Sequence, residues 1–248
     1  MACVGSLGIL LAGTVPAWSQ YVVSARAGTI NYIRGQVSVD GQALQRSPTS
    51  FPMLHEGQVL GTGAGRAEIL LGPGVFLRLA EHGTLLMLST RLDDAQVEVQ
   101  QGTALVEVVD IVKDSDVHIL LGRTRTGFKG MGLHRFAADS NELRVFGGHA
   151  EVFAGDQKVE AGRGRLVHLG DTLAVSRFDP RQRDGLLQWA ARRSFFLFRS
   201  NATAHQHQSN WEVRRVTPGS DRAGLPTDQD LTYVSNRDFG VVFSAKAR

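Results

Sequence analysis

Between Gly28 and about Ser176 the chain alternates apolar and polar residues in short runs broken by Gly and Asp. Alternation with a period of two places successive side chains on opposite faces, which is the mark of a strand. In Thr29 to Ile33, Ile30 and Tyr32 share a face. Gln36 to Val39 repeats the pattern and ends at Asp40-Gly41, a hairpin-type turn. Further strands are predicted at Gln58–Leu60, Ala67–Leu71, Val75–Leu79, Thr84–Leu88, Ala95–Val99 and Ala104–Val109. A last group follows at Val117–Leu120, Leu133–Phe136, Glu142–Val145, Ala150–Phe153 and Arg165–Leu169. About a dozen short strands at roughly ten-residue spacing point to an all-β fold: a sandwich, a barrel, or a short β-solenoid or roll. Most of the 28 glycines lie in this region, where tight turns require positive φ.

A weak internal echo runs through the pattern. Ile30 to Gly41 resembles Leu143 to Gly155: each reads as a strand, a Gly, a second alternating strand and a turn. Each is followed by another Gly-centred turn and an apolar strand, at Glu56–Leu60 and at Gly164–Val167. A two-strand unit repeated along a sheet would produce this, and so would the general likeness of hairpins.

After Ser176 the pattern changes. Phe178-Asp179-Pro180 offers an N-cap and a proline at the first helical position. Leu186, Leu187, Trp189, Ala190, Ala191 and Leu197 then give a broad apolar face, so a helix is predicted over residues 177–201. Phe195, Phe196 and Phe198 enlarge that face, and it is expected to pack on the sheet. Arg181, Gln188, Arg192 and Arg199 form a polar stripe. The three phenylalanines and the three arginines together make a candidate interaction surface. From residue 202 to 248 the chain is polar and turn-rich and reads as a partly disordered tail, with a short hairpin near Leu231–Val234 and Gly240–Ser244.

The first residues read differently again. Met1 to Ser19 carries no charge, Val4 to Val15 is largely apolar, and small residues at Ala17 and Ser19 fit a signal-peptidase site. A signal peptide at 1–19, cut between Ser19 and Gln20, predicts a periplasmic or secreted protein. The basic residue that usually precedes such a segment is missing. The single cysteine, Cys3, lies within this segment, so the mature chain has no thiol chemistry and no Cys-ligated metal.

Composition narrows the function classes. Of 248 residues, 27 are basic and 24 acidic, giving a formal net charge of +3. That balance argues against a nucleic-acid partner. The basic residues are 23 arginines and four lysines. Nine arginines against four acids fall between Arg177 and Arg222, a face suited to anionic envelope polymers or lipid head groups.

Catalytic and metal-binding patterns are weak. His205-Gln206-His207 could place two imidazoles on one strand face, but reads as a solvated loop. His118, His134, His149 and His168 lie on separate predicted strands. Asp93-Asp94 and Asp114-Ser115-Asp116 are the acidic clusters and read as turns. No Gly-x-Ser-x-Gly elbow occurs. Gly61-Thr62-Gly63-Ala64-Gly65-Arg66 looks like a phosphate-cradling loop. A strand rather than a helix follows it, so it is read as a β-turn with left-handed glycines. Neither a catalytic set nor a cofactor or metal site is therefore expected.

Taken in order, certain segments resemble the FecR-domain family. They are Gly28-Thr29-Ile30 through Gly35-Gln36-Val37-Ser38-Val39, then Leu54-His55-Glu56-Gly57-Gln58-Val59-Leu60, then Thr62 to Leu71. Val97 to Gly102 and Arg144-Val145-Phe146-Gly147-Gly148 complete the set. The resemblance covers residues 20–176 and implies an all-β extracytoplasmic domain. In the namesake proteins that domain relays the state of an outer-membrane transporter to a cytoplasmic sigma factor. This chain is more similar to the stand-alone exported members. The expectation is a non-enzymatic exported module that binds or scaffolds in the bacterial cell envelope. Its partner would be an envelope protein or polysaccharide, with membrane-surface contact also open. A periplasmic signalling regulator and a carbohydrate-active enzyme with two facing carboxylates are the alternatives.

Overall fold

The computed structural model describes residues 27–45, 51–110 and 116–209, with side chains up to residue 197. Residues 1–26, with the expected signal peptide, residues 46–50 and 111–115, and the tail from 210 onward, with the hairpin expected there, lie outside the described residues.

Among the described residues thirteen strands and one helix follow in chain order. They are β1 (Thr29–Val39), β2 (Gln42–Ala43), β3 (Val59–Gly72), β4 (Val75–Leu79), β5 (Thr84–Arg91), β6 (Asp94–Gln101) and β7 (Thr103–Val108). After them come β8 (Val117–Leu121), β9 (Thr124–Ala137), β10 (Glu142–Ala154), β11 (Gln157–Gly162), β12 (Arg165–His168), β13 (Ala174–Arg177) and α1 (Gly185–Ser209). The all-β class with a C-terminal helix holds. The architecture is a closed barrel. Strands β9, β7, β4, β3, β5, β6 and β8 pair in that order, and β8 returns to β9. Every pairing in the ring is antiparallel except β6 with β8.

Closure follows from the alternation. Each barrel strand sends apolar residues into one core: Leu60 and Ile69 from β3, Leu77 from β4, Met87 from β5, Val97 from β6, Val106 from β7, Ile119 from β8 and Phe136 from β9. All of these are fully buried. Burial of such a side chain stabilises by about 1.5–3 kcal/mol, and closing the ring leaves no barrel edge unpaired.

Two flaps extend from the barrel: β1 with β2 on the outer edge of β3, and β10 to β13 on the outer edge of β9. The echo seen in the sequence is a structural repeat. β1 runs along β3, and β10 runs along β9, each pair with its register broken at a glycine. Gly35 (φ 70) and Gly148 (φ 74) occupy matching bulges. A Cβ on Gly35 would lie 2.3 Å from the Ala64 carbonyl oxygen, and one on Gly148 would lie 2.3 Å from that of Met131. Upstream, Gly28 (φ 90) matches Asn141 (φ 50). Each accepts one backbone bond, Leu54 N to Gly28 O at 2.8 Å and Leu169 N to Asn141 O at 2.7 Å.

Two local expectations are corrected. Gly61 to Arg66 is not a turn but the middle of β3. Its glycines serve close approach: a Cβ on Gly65 would sit 2.4 Å from the Gln36 carbonyl oxygen of β1. The helix begins at Gly185, not at Asp179. Asp179-Pro180 forms a turn in which the Asp179 side chain accepts from Arg181 N at 3.0 Å. Asp184 is the cap, its Oδ1 accepting from Leu186 N at 3.1 Å and Leu187 N at 2.9 Å. The helix also continues past residue 201 to Ser209, into what was read as tail.

Candidate functional site

The chemistry-bearing residues gather on the outside of the barrel, beneath α1. Adjacent strands β3, β4 and β7 turn Glu68, Arg78 and Glu107 outward. Glu68 is directly opposite Arg78, and Glu107 is opposite Phe76, one step along. All three are buried, because α1 lies over them. Arg78 donates Nε to Glu68 Oε2 at 2.7 Å, Nη1 to Glu107 Oε2 at 2.5 Å and Nη2 to Ser194 Oγ at 3.1 Å. Ser194 Oγ lies 2.5 Å from Glu107 Oε2 and 3.0 Å from the Ala190 carbonyl oxygen. Arg193 donates Nη2 to Glu68 Oε1 at 2.6 Å, and Asn31 Nδ2 donates to the same atom at 2.7 Å. Two carboxylates thus meet two guanidiniums. One acceptor, Glu107 Oε1, is buried without a hydrogen-bond partner.

Burial works to raise the Glu68 carboxyl, but the neighbouring charges and hydrogen bonds of Arg78 and Arg193 outweigh it and hold the group below its ordinary range. Burial likewise pulls at Arg78, and Glu107 and Glu68 outweigh that, keeping its guanidinium charged.

An apolar patch surrounds the clamp. Leu186, Leu187, Trp189 and Ala190 of α1 pack on Leu105, Leu133 and Phe146, with Tyr32, Ala80 and Phe178 at the margin. Trp189 lies 6.2 Å from the Tyr32 ring, and Arg193 covers Tyr32 at 4.3 Å. At the helix start Asp184 pairs with Arg135. Arg66 donates Nη1 to the Gly185 carbonyl oxygen at 3.1 Å and sits over Trp189.

The predicted interaction residues fall in several places. Arg181 is exposed in the turn before α1 and pairs with Asp179 at 3.5 Å. Arg192 and Phe195 are half-buried, and Phe196 is 50% exposed. The side chains of Phe198 and Arg199 lie outside the described residues. The structure therefore docks the helix through Leu186 to Ala190 and through Arg193 and Ser194, rather than through the phenylalanine run. Sequence reading passed over Arg193, Ser194, Arg78, Glu68 and Glu107. The signal for the strand residues was faint: a charge at an alternating position marks an outward face and does not say that a helix will cover it.

The histidines stay apart. His118 lies 3.4 Å from Asp94 and 3.7 Å from Asp116. His134 is fully buried against Phe128; neither ring nitrogen makes a well-formed hydrogen bond, and weak contacts with the Val106 and His149 backbone only partly offset the burial. Burial drives its pKa down to about 3. Among the described residues no group of three His, Cys, Asp or Glu is placed to hold a metal ion, and no helix is long and apolar enough to cross a membrane.

No family model and no curated protein matches the chain. Among solved structures, two crystal structures of a candidate anti-sigma factor from Parabacteroides distasonis ATCC 8503 are similar to it, at 2.50 and 1.65 Å resolution. Identity is 13% and 12%, and the TM-score is 0.43 in both cases. The similar region covers 54% of this chain and 64% of those chains, so it spans under two thirds of their length.

Proposed function

We propose that this chain is an exported, non-enzymatic module of the FecR-like kind that binds or scaffolds in the bacterial cell envelope. The observation that carries the reading is the division of labour between the two barrel faces. The interior is filled by apolar side chains from all seven strands. The buried charges on the outer face are consumed in fastening α1. Recognition then falls to the solvent-facing surface of the flaps and of α1. The ordered segments from Gly28 to Gly148 that resemble FecR domains, and the leader-like residues 1–19, support the rest.

The test is N-terminal sequencing of the native protein from fractionated cells. A chain starting at Gln20 in a soluble extracytoplasmic fraction is expected. A product retained in the inner membrane with its first 19 residues intact would defeat the exported module and favour the signalling regulator.

A further inference from the structure

The corner where the chain leaves the sheet for α1 is crowded with arginine. Arg165 on β12 and Arg177 on β13 are direct cross-strand partners. Like charges opposite one another destabilise a strand pair. Arg163 stands one residue before the turn glycine Gly164, whose carbonyl accepts from Phe178 N at 3.1 Å, so Arg163 and Arg177 flank the same junction. Arg183 comes close enough for burial, and after it Arg163, to hold its guanidinium below the ordinary value.

Carboxylates of this region are engaged elsewhere. Asp179 pairs with Arg181, Asp184 with Arg135 and Glu142 with Arg144. Asp171 sits at the closed end of the β12–β13 hairpin, beside Arg123. Among the described residues none pairs with Arg163, Arg165 or Arg177.

The same corner ends the sheet. Among the described residues β13 pairs with β12 alone, and all four of its residues are exposed, Val175 at 44%. Its outer edge therefore carries unpaired backbone donors and acceptors, the surface to which an extended chain adds. Most edge strands in soluble proteins are guarded by charge. Here the nearby charge left without an ion-pair partner among the described residues, at Arg163, Arg165 and Arg177, is positive, which repels basic chains and attracts acidic ones.

We infer that the outer edge of β13, with Arg163, Arg165 and Arg177, takes up an extended acidic segment of a partner protein by strand addition. Main-chain hydrogen bonds to β13 supply the docking, and the arginines select carboxylates at alternate positions. A carboxylate beside Arg177 relieves the repulsion that Arg165, opposite it on β12, already builds into the hairpin. This rests on the reading of the chain as a binding module and names the chemistry of its partner.

The experiment uses the full chain and a synthetic peptide alternating Glu with Val and Thr, with a Gln-for-Glu peptide as control. Binding is read by fluorescence anisotropy, and the amides of Ala174 to Arg177 by hydrogen exchange. The acidic peptide is expected to bind, to slow exchange on β13, and to be weakened about tenfold or more by Arg165→Glu with Arg177→Glu. Arg163→Glu, outside the paired strands, should give a smaller loss and guards against misfolding of the double variant. Three outcomes would overturn the inference. One is failure of the acidic peptide to bind. Another is binding that leaves β13 exchange unchanged, or is matched by dextran sulfate or phosphatidylglycerol vesicles. The third is a β13 edge already protected without peptide, which would mean that the chain covers it itself. None of these touches cleavage before Gln20, so export stands or falls separately.

Discussion

On β4, Leu77 and Arg78 are neighbours in sequence, and both are wholly shielded from solvent. Leu77 points into the barrel among apolar side chains. Arg78 points out, and is shielded only because α1 lies over it and supplies Ser194. The inner face is held by volume and the outer face by matched charge. Loss of a methylene inside leaves a cavity; loss of the Arg78 guanidinium outside leaves Glu68 with Arg193 and Glu107 buried with no cation. The two faces should therefore fail in chemically different ways while costing similar free energy.

The largest expected effect tests that contrast. Arg78→Met keeps bulk and removes charge, and should destabilise by about 3–5 kcal/mol, since breaking a buried pair strands its partners. Leu77→Ala should cost about 2–5 kcal/mol. The distinction lies in rescue. Adding Glu107→Gln to Arg78→Met should recover much of the loss, because Glu68 keeps its pair with Arg193 and a neutral amide costs far less to bury than an unpaired carboxylate. No change of charge should rescue Leu77→Ala. Urea unfolding of the four proteins decides it. If Arg78→Met costs under about 1 kcal/mol, the clamp is relaxed by solvent and the contrast fails.

His134 offers a second test, because it breaks the rule of the inner face. It is a titratable group in the barrel without a well-formed hydrogen bond, and burial, only partly offset by the Val106 and His149 backbone, holds its pKa near 3 against 6.5 for the free side chain. The folded state therefore resists the proton that the unfolded chain accepts. As pH falls below about 6.5, stability is lost, and the loss continues down to about pH 3. Between pH 7.5 and 5 this amounts to about 2 kcal/mol. Glu68 shifts the same way but acts lower: its contribution is present above the ordinary carboxylate value of 4.5 and is lost as pH falls beneath it. The window from 7.5 to 5 thus isolates the imidazole. His134→Leu should be flatter there by about 2 kcal/mol, read from denaturation midpoints at each pH. An unchanged slope would mean that the imidazole is not sealed in.

The contrast also explains what could be read in advance. Strand positions were legible because Leu77, Leu79 and their counterparts recur at every second residue, a purely local pattern. The repeat was legible as Gly35 against Gly148, since glycine is demanded where the backbones meet. The closed barrel is legible only as one of several all-β options, because the parallel pairing of β6 with β8 joins segments with another strand between them, and no local pattern records it. The clamp was hidden for a related reason. Glu68, Arg78 and Glu107 look like ordinary solvent-facing charges until the helix that carries Arg193 and Ser194, with Ser194 87 residues beyond Glu107, is laid over them. The cap was misassigned because Asp179-Pro180 and Asp184-Gly185 both carry start signals. The second sits where the cap can also pair with Arg135.

That cap gives a smaller effect. Asp184→Ala removes the acceptor of two helix-start amides and should cost about 1 kcal/mol. Asp184→Asn keeps the acceptor and removes the charge paired with Arg135. It should recover most of the loss, because caps act chiefly through the hydrogen bond. Recovery by Asn but not by Ala, measured by thermal unfolding, assigns the role to capping. Equal loss in both would assign it to the ion pair.

The smallest effect concerns the aromatic run. If the helix were docked through Phe195 and its neighbours, truncating Phe196 would open a cavity and cost several kcal/mol. Phe196 is instead half exposed, while Leu186, Leu187, Trp189 and Ala190 form the buried seam. Phe196→Ala should then change stability by no more than about 0.5 kcal/mol, whereas Leu187→Ala should cost about 2–5. The pair separates two uses of apolar residues on one helix. Leu187 is buried in the seam that docks the helix, whereas Phe196 keeps half of its surface toward solvent. A cost above about 2 kcal/mol at Phe196 would mean that the second face of α1 is buried too, and the interaction surface would shrink to the arginines.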